Sequence, residues 1–378
     1  MISEVSPQTS SLFVDPATKI SFVANDDKGA LLDGISVTLN GVLHTASSGL
    51  TIEGPDNARK VSLGGLQANR SYHAEIKVLD AEGESDTRYL FFDTFDKDSF
   101  VVEIEDYNFD GGDFIAKPVI IPELDEDGDL NWDENAYLGT EGYSDIDYSD
   151  KNEIPQEVNH RYRPFDGVAT APALDLDRPV FLDAGGKDKG VFDYSVGEIE
   201  EGEWLNYTRN YPKGDYLVYL RQAQFSIEKA ISTLELVTGA TDEKDQSTKL
   251  LGTFIGSESG VEYRNVLLTN KGGTKPIVVT LDGEQTLRLT QKTTDENDTY
   301  LKQNFLIFIK YTRPTVELQV SDAVQGPYKT DSGAKIDEAA KTITLGQAGT
   351  TQFYRLGGVT ARITDIRLVG GDVVLSYE

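Results

Sequence analysis

A chain of 378 residues with 64 Asp and Glu against 35 Lys and Arg carries a formal net charge of −29, which repels phosphate backbones and anionic lipid and argues against nucleic acid as a partner. The absence of Cys excludes disulfides, thiolate nucleophiles and Cys-ligated metal centres. No apolar run approaches the roughly twenty residues of a membrane-spanning helix, so membrane insertion is not expected.

Short alternating apolar runs, separated by Gly, Asn, Asp and Pro, replace helical periodicity along the whole chain, the pattern of an all-β protein. The opening segment MISEVSPQTSSLFVD lacks the basic and apolar regions of a signal peptide. The chain is expected to be either intracellular or, the preferred reading, a mature or excised piece of an exported protein, extracellular or at the cell surface. Residues 1–96 hold strands at sandwich spacing, among them KISFVA (19–24) and ISVTLNG (35–41). In LQANRSYHAEIKV (66–78), Tyr72 follows a Leu-x-x-Asn turn just inside a late strand, the position of a tyrosine corner. This stretch resembles a fibronectin type III or bacterial immunoglobulin-like domain, and FDTFDKDS (92–99) reads as the linker that follows it.

The middle segment, 97–313, opens on VVEIEDY (101–107), whose alternation puts Glu103 and Glu105 on one face of one strand. Two carboxylates so placed repel unless a cation or basic side chains lie between them, and the scarcity of Lys and Arg nearby in sequence favours a cation. Further on, ELDEDGDLNWDE (123–134) sets seven carboxylates in twelve positions. Aligned to an EF-hand loop, Glu123, Asp125 and Asp127 take the first, third and fifth places and Asp129 follows Gly128, which stands at the sixth. Leu130 is then eighth and Glu134 twelfth. Calcium prefers such an all-oxygen shell, and Gly permits the sharp turn. The other reading is a solvated acidic loop. Glu at the first place and the lack of flanking amphipathic helices count for the latter, the Gly and Leu offsets for the former.

Then come VGEIEEGEWLNYTRNYPKGDYLVYLRQA (196–223), LGTF (251–254) and LKQNFLIFIKY (301–311). Together with the Glu-x-Glu strand, and in this order, these pieces resemble carbohydrate-binding module family 6. The resemblance rests on Gly202, Glu203, Trp204, Leu205 and Tyr207, then Gly214, Tyr216 and Arg221. It implies a β-jelly roll that binds polysaccharide without cleaving it. It also implies a structural Ca2+ held by Glu103 and Glu105, with Asn304 standing where the family has a later acidic ligand. Of the family's two stacking positions, the first holds Glu198, with Phe192 and Tyr194 just upstream, and the second holds Tyr263. Trp204 falls on a framework position expected in the core. The module is longer than the family needs, the excess being an acidic insert over 108–190.

Residues 314–378 read as a small C-terminal β domain without evident chemistry. The expected architecture is thus all-β: an immunoglobulin- or fibronectin-like sandwich (1–96), a central jelly-roll sandwich (97–313) and the C-terminal domain. His44, His73 and His160 stand in unrelated contexts, and neither His-x-x-x-His nor Gly-x-Ser-x-Gly occurs, so no enzyme is expected. The partner expected is a polysaccharide, neutral because the protein's charge gains nothing from an anionic one. The alternative is a calcium-stabilised surface, adhesin or fibre protein whose β domains associate with one another or with other surface proteins.

Overall fold

The computed structural model describes every residue except 117–122, 125–129, 132–136, 138, 152–161, 164–165, 177, 226–228, 294–300, 314, 338–339, 347–351, 359–360 and 378. The chain is all-β, and among the described residues its one α-helix is the five-residue α1, Pro179–Asp183. It divides into two compact units, Met1–Tyr311 and Thr312–Glu378.

The first unit begins with β1 (Ile2–Ser6), β2 (Ile20–Asn25), β3 (Ser36–Leu39), β4 (Val42–Thr45), β5 (Thr51–Glu53), β6 (Ala58–Leu63), β7 (Ser71–Leu79) and β8 (Ser85–Asp93). These strands form two four-stranded sheets, β1-β2-β6-β5 and β4-β3-β7-β8. The strict alternation of β7 explains the arrangement: Tyr72, Ala74, Ile76 and Val78 point into a shared core with Ile20, Phe22, Val37 and Phe92, while His73 and Lys77 point out. The Tyr72 hydroxyl accepts from Gln67 N at 2.7 Å, the bond of a tyrosine corner.

The remaining strands of the unit are β9 (Phe100–Glu103), β10 (Glu123–Leu124), β11 (Leu130–Asn131), β12 (Tyr148–Ser149), β13 (Thr170–Pro172), β14 (Tyr194–Val196), β15 (Trp204–Ala223), β16 (Ile231–Val237), β17 (Thr248–Ile255), β18 (Arg264–Thr269), β19 (Val278–Thr293) and β20 (Lys302–Lys310). All but the separate β10-β11 pair join one path, β13-β14-β20-β15-β18-β17-β16-β19, with β9 added on β20 and β12 on β15. The path folds over because β15, of 20 residues, changes register between Tyr211 and Gly214, where Pro212 cannot donate to a ladder. Its first half pairs with the end of β19, and its second half with β20 and β18. The core so enclosed contains Val102, Ile104, Tyr207, Tyr216, Leu220, Leu234, Leu287 and Phe308.

One outer face of this jelly roll is not left to water. Leu12, Phe13 and Phe95 lie on Leu217, Tyr219, Phe305, Ile307 and Ile309, and buried Asp93 pins the contact by accepting from Phe13 N at 2.8 Å and from Asn265 Nδ2 at 2.7 Å. The described part of the insert is no solvated extension either. Tyr137, Tyr148, Tyr162, Arg163 and Phe181 are all buried.

The second unit holds β21 (Glu317–Ser321), β22 (Lys329–Thr330), β23 (Lys335–Asp337), β24 (Thr342–Gly346), β25 (Phe353–Gly357), β26 (Ile363–Val369) and β27 (Asp372–Tyr377), in sheets β22-β21-β25 and β23-β24-β27-β26. Its core is small: Val316, Leu318, Ile343, Leu345, Leu375 and Tyr377.

Candidate functional site

Phe305 of β20 pairs with Glu103 of β9, and Ile104 N donates to Asn304 O at 2.8 Å. The first and last strands of the jelly roll therefore bring Glu103, Glu105 and Asn304 to one place. Asp193, just before β14, joins them. One carboxylate oxygen from each of Glu103, Glu105 and Asp193 can be chosen so that all three lie within 4.8 Å of one another.

What stands between two of these carboxylates is a guanidinium. Arg178, at the head of α1, donates to Glu103 through Nη1 (2.9 Å) and Nη2 (2.6 Å), and to Asp193 through Nε (3.0 Å) and Nη2 (2.9 Å). Its plane lies 4.1 Å from the Phe305 ring centroid. Beside it, Arg221 grips Asp175 at 2.6 and 2.8 Å, and Asn304 Nδ2 donates to Asp175 and Asp193 at 3.2 and 3.3 Å. The expectation that few basic side chains lie near Glu103 is thus corrected. The insert carries Arg178 across 75 residues of sequence to meet it.

Glu105 has no such counterion. Its side chain is 1% exposed, and its Oε2 has no hydrogen-bond partner, nor has the Oδ1 of Asn304. Burial, then the Glu103, Asp106 and Asp193 carboxylates, push the Glu105 carboxyl well above its ordinary range. Burial also raises Glu103 to about 7, against the pull of Arg178. Asp106 rises to about 6 for the same first reason, although Tyr137 and Tyr162 donate to its Oδ1 at 2.8 and 2.6 Å.

With the Arg163–Asp166 pair set aside (2.6 Å), the fully ionised set of Glu103, Glu105, Asp106, Asp175 and Asp193 faces Arg178, Arg209 and Arg221, and full ionisation would leave two negative charges over. Two unpartnered oxygen acceptors and a deficit of two charges fit a divalent, oxygen-preferring cation such as Ca2+. Glu105 and Asn304 would hold it, with Glu103 and Asp193 shared with Arg178. A cleft of about 750 Å3 reaches Glu103, Asp106 and Arg178 past Phe100 and Lys97, so the cluster has a path to solvent.

The second acidic stretch is described only as the backbone pairs Glu123↔Asn131 and Leu124↔Leu130. The ligand positions Asp125, Asp127, Asp129 and Glu134, and the side chain of Glu123, lie outside the described residues.

The rings expected to stack on sugar are placed elsewhere. Tyr263 is 3% exposed, packed on Ala173 and Ala223, with its hydroxyl donating to Ser195 Oγ at 3.3 Å. Tyr194 is 4% exposed and lies 4.6 Å from the Tyr162 ring, with half-buried Phe192 beside it. The reason is the insert: β13 pairs with β14, and the chain after it runs over Tyr263, while Ser10 donates to the Tyr263 carbonyl at 3.2 Å. Of the expected positions only Glu198 is exposed, in a turn at φ 54°. Trp204 is likewise not in the core: it is half-buried, with Arg288 stacked 3.6 Å over its ring and bonded to Asn206 Oδ1 at 3.0 Å. Arg178, Asp175 and Asp193 escaped the reading of the sequence. An Arg directly after two alternating Asp residues in the apolar run ALDLDRPVF (173–181) was the available signal.

No protein-family model matches the chain, and no curated protein matches it either. Among solved structures it is similar in part to a family 6 carbohydrate-binding module of Clostridium stercorarium in complex with cellobiose (17% identity, 38% of this chain and 82% of that one, TM-score 0.25). A β-1,3-glucan-binding family 6 module of Bacillus halodurans is similar over 38% of this chain and 85% of its own, at 18% identity and TM-score 0.27. A glycoside hydrolase family 43 arabinoxylan arabinofuranohydrolase of Bacillus subtilis matches 70% of this chain and 54% of its own, at 14% identity and TM-score 0.28.

Proposed function

We propose that this chain is a non-catalytic, exported carbohydrate-binding protein whose jelly roll is braced by a structural calcium ion. The observation that carries the reading is the pairing of β9 with β20. It gathers Glu103, Glu105 and Asn304, the residues to which the family resemblance assigns the ion, and leaves acceptors on two of them unpartnered. When bound, the ion supplies the positive charge that the buried carboxylates lack, and with it rigidity between the first and last strands. Arg178 already supplies part of that charge, which supports a bracing role for the ion rather than a reactive one. Burial removes Tyr194 and Tyr263 from the glycan contact. It also weakens the surface-assembly alternative, since rings that would have been covered by another chain are covered by this one.

The test is retention of the purified full chain on insoluble cellulose, xylan and β-1,3-glucan with Ca2+ present, scored beside reducing-sugar release. Retention without release is the expected result. Failure to bind any of the three would remove the glycan reading, and release that disappears on a point mutation would remove the non-catalytic one.

A further inference from the structure

We propose that the cleft between the N-terminal sandwich and the jelly roll binds a short stretch of neutral glycan, with the His73 and Phe91 rings on one wall and Arg264, Asn265 and Gln224 on the other. The proposal rests on the glycan-binding reading and locates it where the family resemblance does not point. His73 of β7 and Phe91 of β8 are cross-strand partners on the outward face of their sheet, their rings 4.5 Å apart and 10° from parallel. Tyr89, 54% exposed and 6.0 Å from His73, extends the aromatic row away from the cleft. From the jelly roll, Arg264 reaches across and lies 3.6 Å over the Phe91 ring, so the two walls touch there and the exposed His73 ring is the aromatic face left open to a ligand. The space between is about 410 Å3, within the range of small-ligand sites and enough for one or two sugar rings.

Its composition departs from the rest of the molecule. Nineteen residues line the cleft and none is Asp or Glu, although at the chain's own frequency of 64 in 378 about three would be. Amides, hydroxyls and aromatic rings take their place, the mixture that suits a pyranose with apolar faces and a hydroxyl rim. The amides at the floor depend on Gly256: a Cβ there would stand 2.2 Å from Gln222 Nε2 and 2.4 Å from Gln224 Oε1. In the wall, Arg264 Nε and Asn265 Oδ1 are buried without a protein partner. The ligand is neutral because both lining guanidiniums are engaged, Arg221 by Asp175 at 2.6 Å and Arg264 by the Glu258 carbonyl at 3.0 Å and the Glu262 carboxylate at 3.6 Å.

The experiment is calorimetric titration of the full chain, with Ca2+ present, by cellohexaose, laminarihexaose and xylohexaose. Three variants are compared with the wild type: His73→Ala, Arg264→Ala and Ser257→Trp. Ser257 is exposed on the rim, so Trp there fills the cleft while removing no contact. The expected result is binding of at least one hexaose by the wild type. In each variant it weakens about ten-fold or more, with melting unchanged for His73→Ala and Ser257→Trp. Wild-type binding that all three variants retain overturns the cleft and leaves the glycan reading standing. No binding of any hexaose by the wild type overturns both.

Discussion

Replacing Arg178 by Met tests the electrostatics of the cluster most directly. The guanidinium is 3% exposed and makes four charge-assisted bonds to Glu103 and Asp193. Removing one side of a buried ion pair strands the other, at a cost of about 3–5 kcal/mol. The lower end applies, because the Glu103 side chain keeps 16% exposure and water can reach it. At roughly 2–4 °C for each kcal/mol in a unit of this size, melting should fall by about 6–12 °C. The sign of the pH dependence follows from burial. With Glu103 and Glu105 raised above their unfolded values, the native state holds more protons than the unfolded state between the ordinary carboxylate range and about pH 7. Stability is therefore lost as pH rises through that window. Taking the cation away deepens this effect, so the deficit of Arg178→Met should be large at pH 7.5 and shrink towards pH 5. Scanning calorimetry in EDTA at both pH values reads it. Added Ca2+ should then recover more in the variant than it adds to the wild type. A loss below about 1 kcal/mol at pH 7.5 would show that the guanidinium does not carry the cluster. An equal loss at both pH values would reduce its role to packing.

Three further outcomes follow from the same geometry. EDTA should lower the melting temperature of the wild type at pH 7.5 and Ca2+ restore it, by about 2.7 kcal/mol at a hundred times the dissociation constant; an unchanged curve from protein shown to be metal-free would remove the ion. Glu105→Gln should raise the stability of metal-free protein at neutral pH, because the buried carboxyl must otherwise take up a proton or stay charged without a partner, and should abolish the response to Ca2+; a destabilised variant that still responds contradicts both halves. Tyr263→Ala should cost about 3–5 kcal/mol in thermal or denaturant unfolding, since it empties a core position, and full stability with lost glycan binding would instead return the ring to the ligand.

The strands were legible because their signals are local. The alternation in SYHAEIKVL needs only the period of two, and the Tyr72 bond closes over five residues. The meeting of Glu103 and Asn304 was legible for a different reason: the order of motifs shared with family 6 modules stood in for two positions 201 residues apart that no local pattern brings together. The insert had neither support. Its acidity suggested a cation-binding loop or a solvated one and nothing of its packing, because sixteen carboxylates and two Lys between 103 and 151 are all that composition shows there. Its tyrosines and arginines are few, and their destinations depend on how it folds back. That fold-back buries Tyr194 and Tyr263, so a residue-by-residue carry-over from the family placed the right ring types in positions that the insert covers. The cleft lined by His73 and Arg264 was invisible in the sequence, as it exists only where strands far apart in the chain, β7 and β8 on one side and β18 on the other, come together.

The insert also explains why a buried acidic cluster and an arginine coexist. A jelly roll that met the Glu103–Glu105 pair with calcium alone would lose its brace whenever calcium was scarce. Bringing Arg178 in over Phe305 gives the same carboxylates a counterion that cannot dissociate. It neutralises only part of the charge, because one guanidinium lies between Glu103 and Asp193 while Glu105 stays uncompensated. The fold is thereby held by the chain's own cation, and the remaining deficit still favours a divalent ion. On this argument the two substitutions move the melting temperature in EDTA and the gain from Ca2+ in opposite senses: Arg178→Met lowers the first and enlarges the second, whereas Glu105→Gln raises the first and abolishes the second. Their additivity in the double variant measures how independently the two cations act.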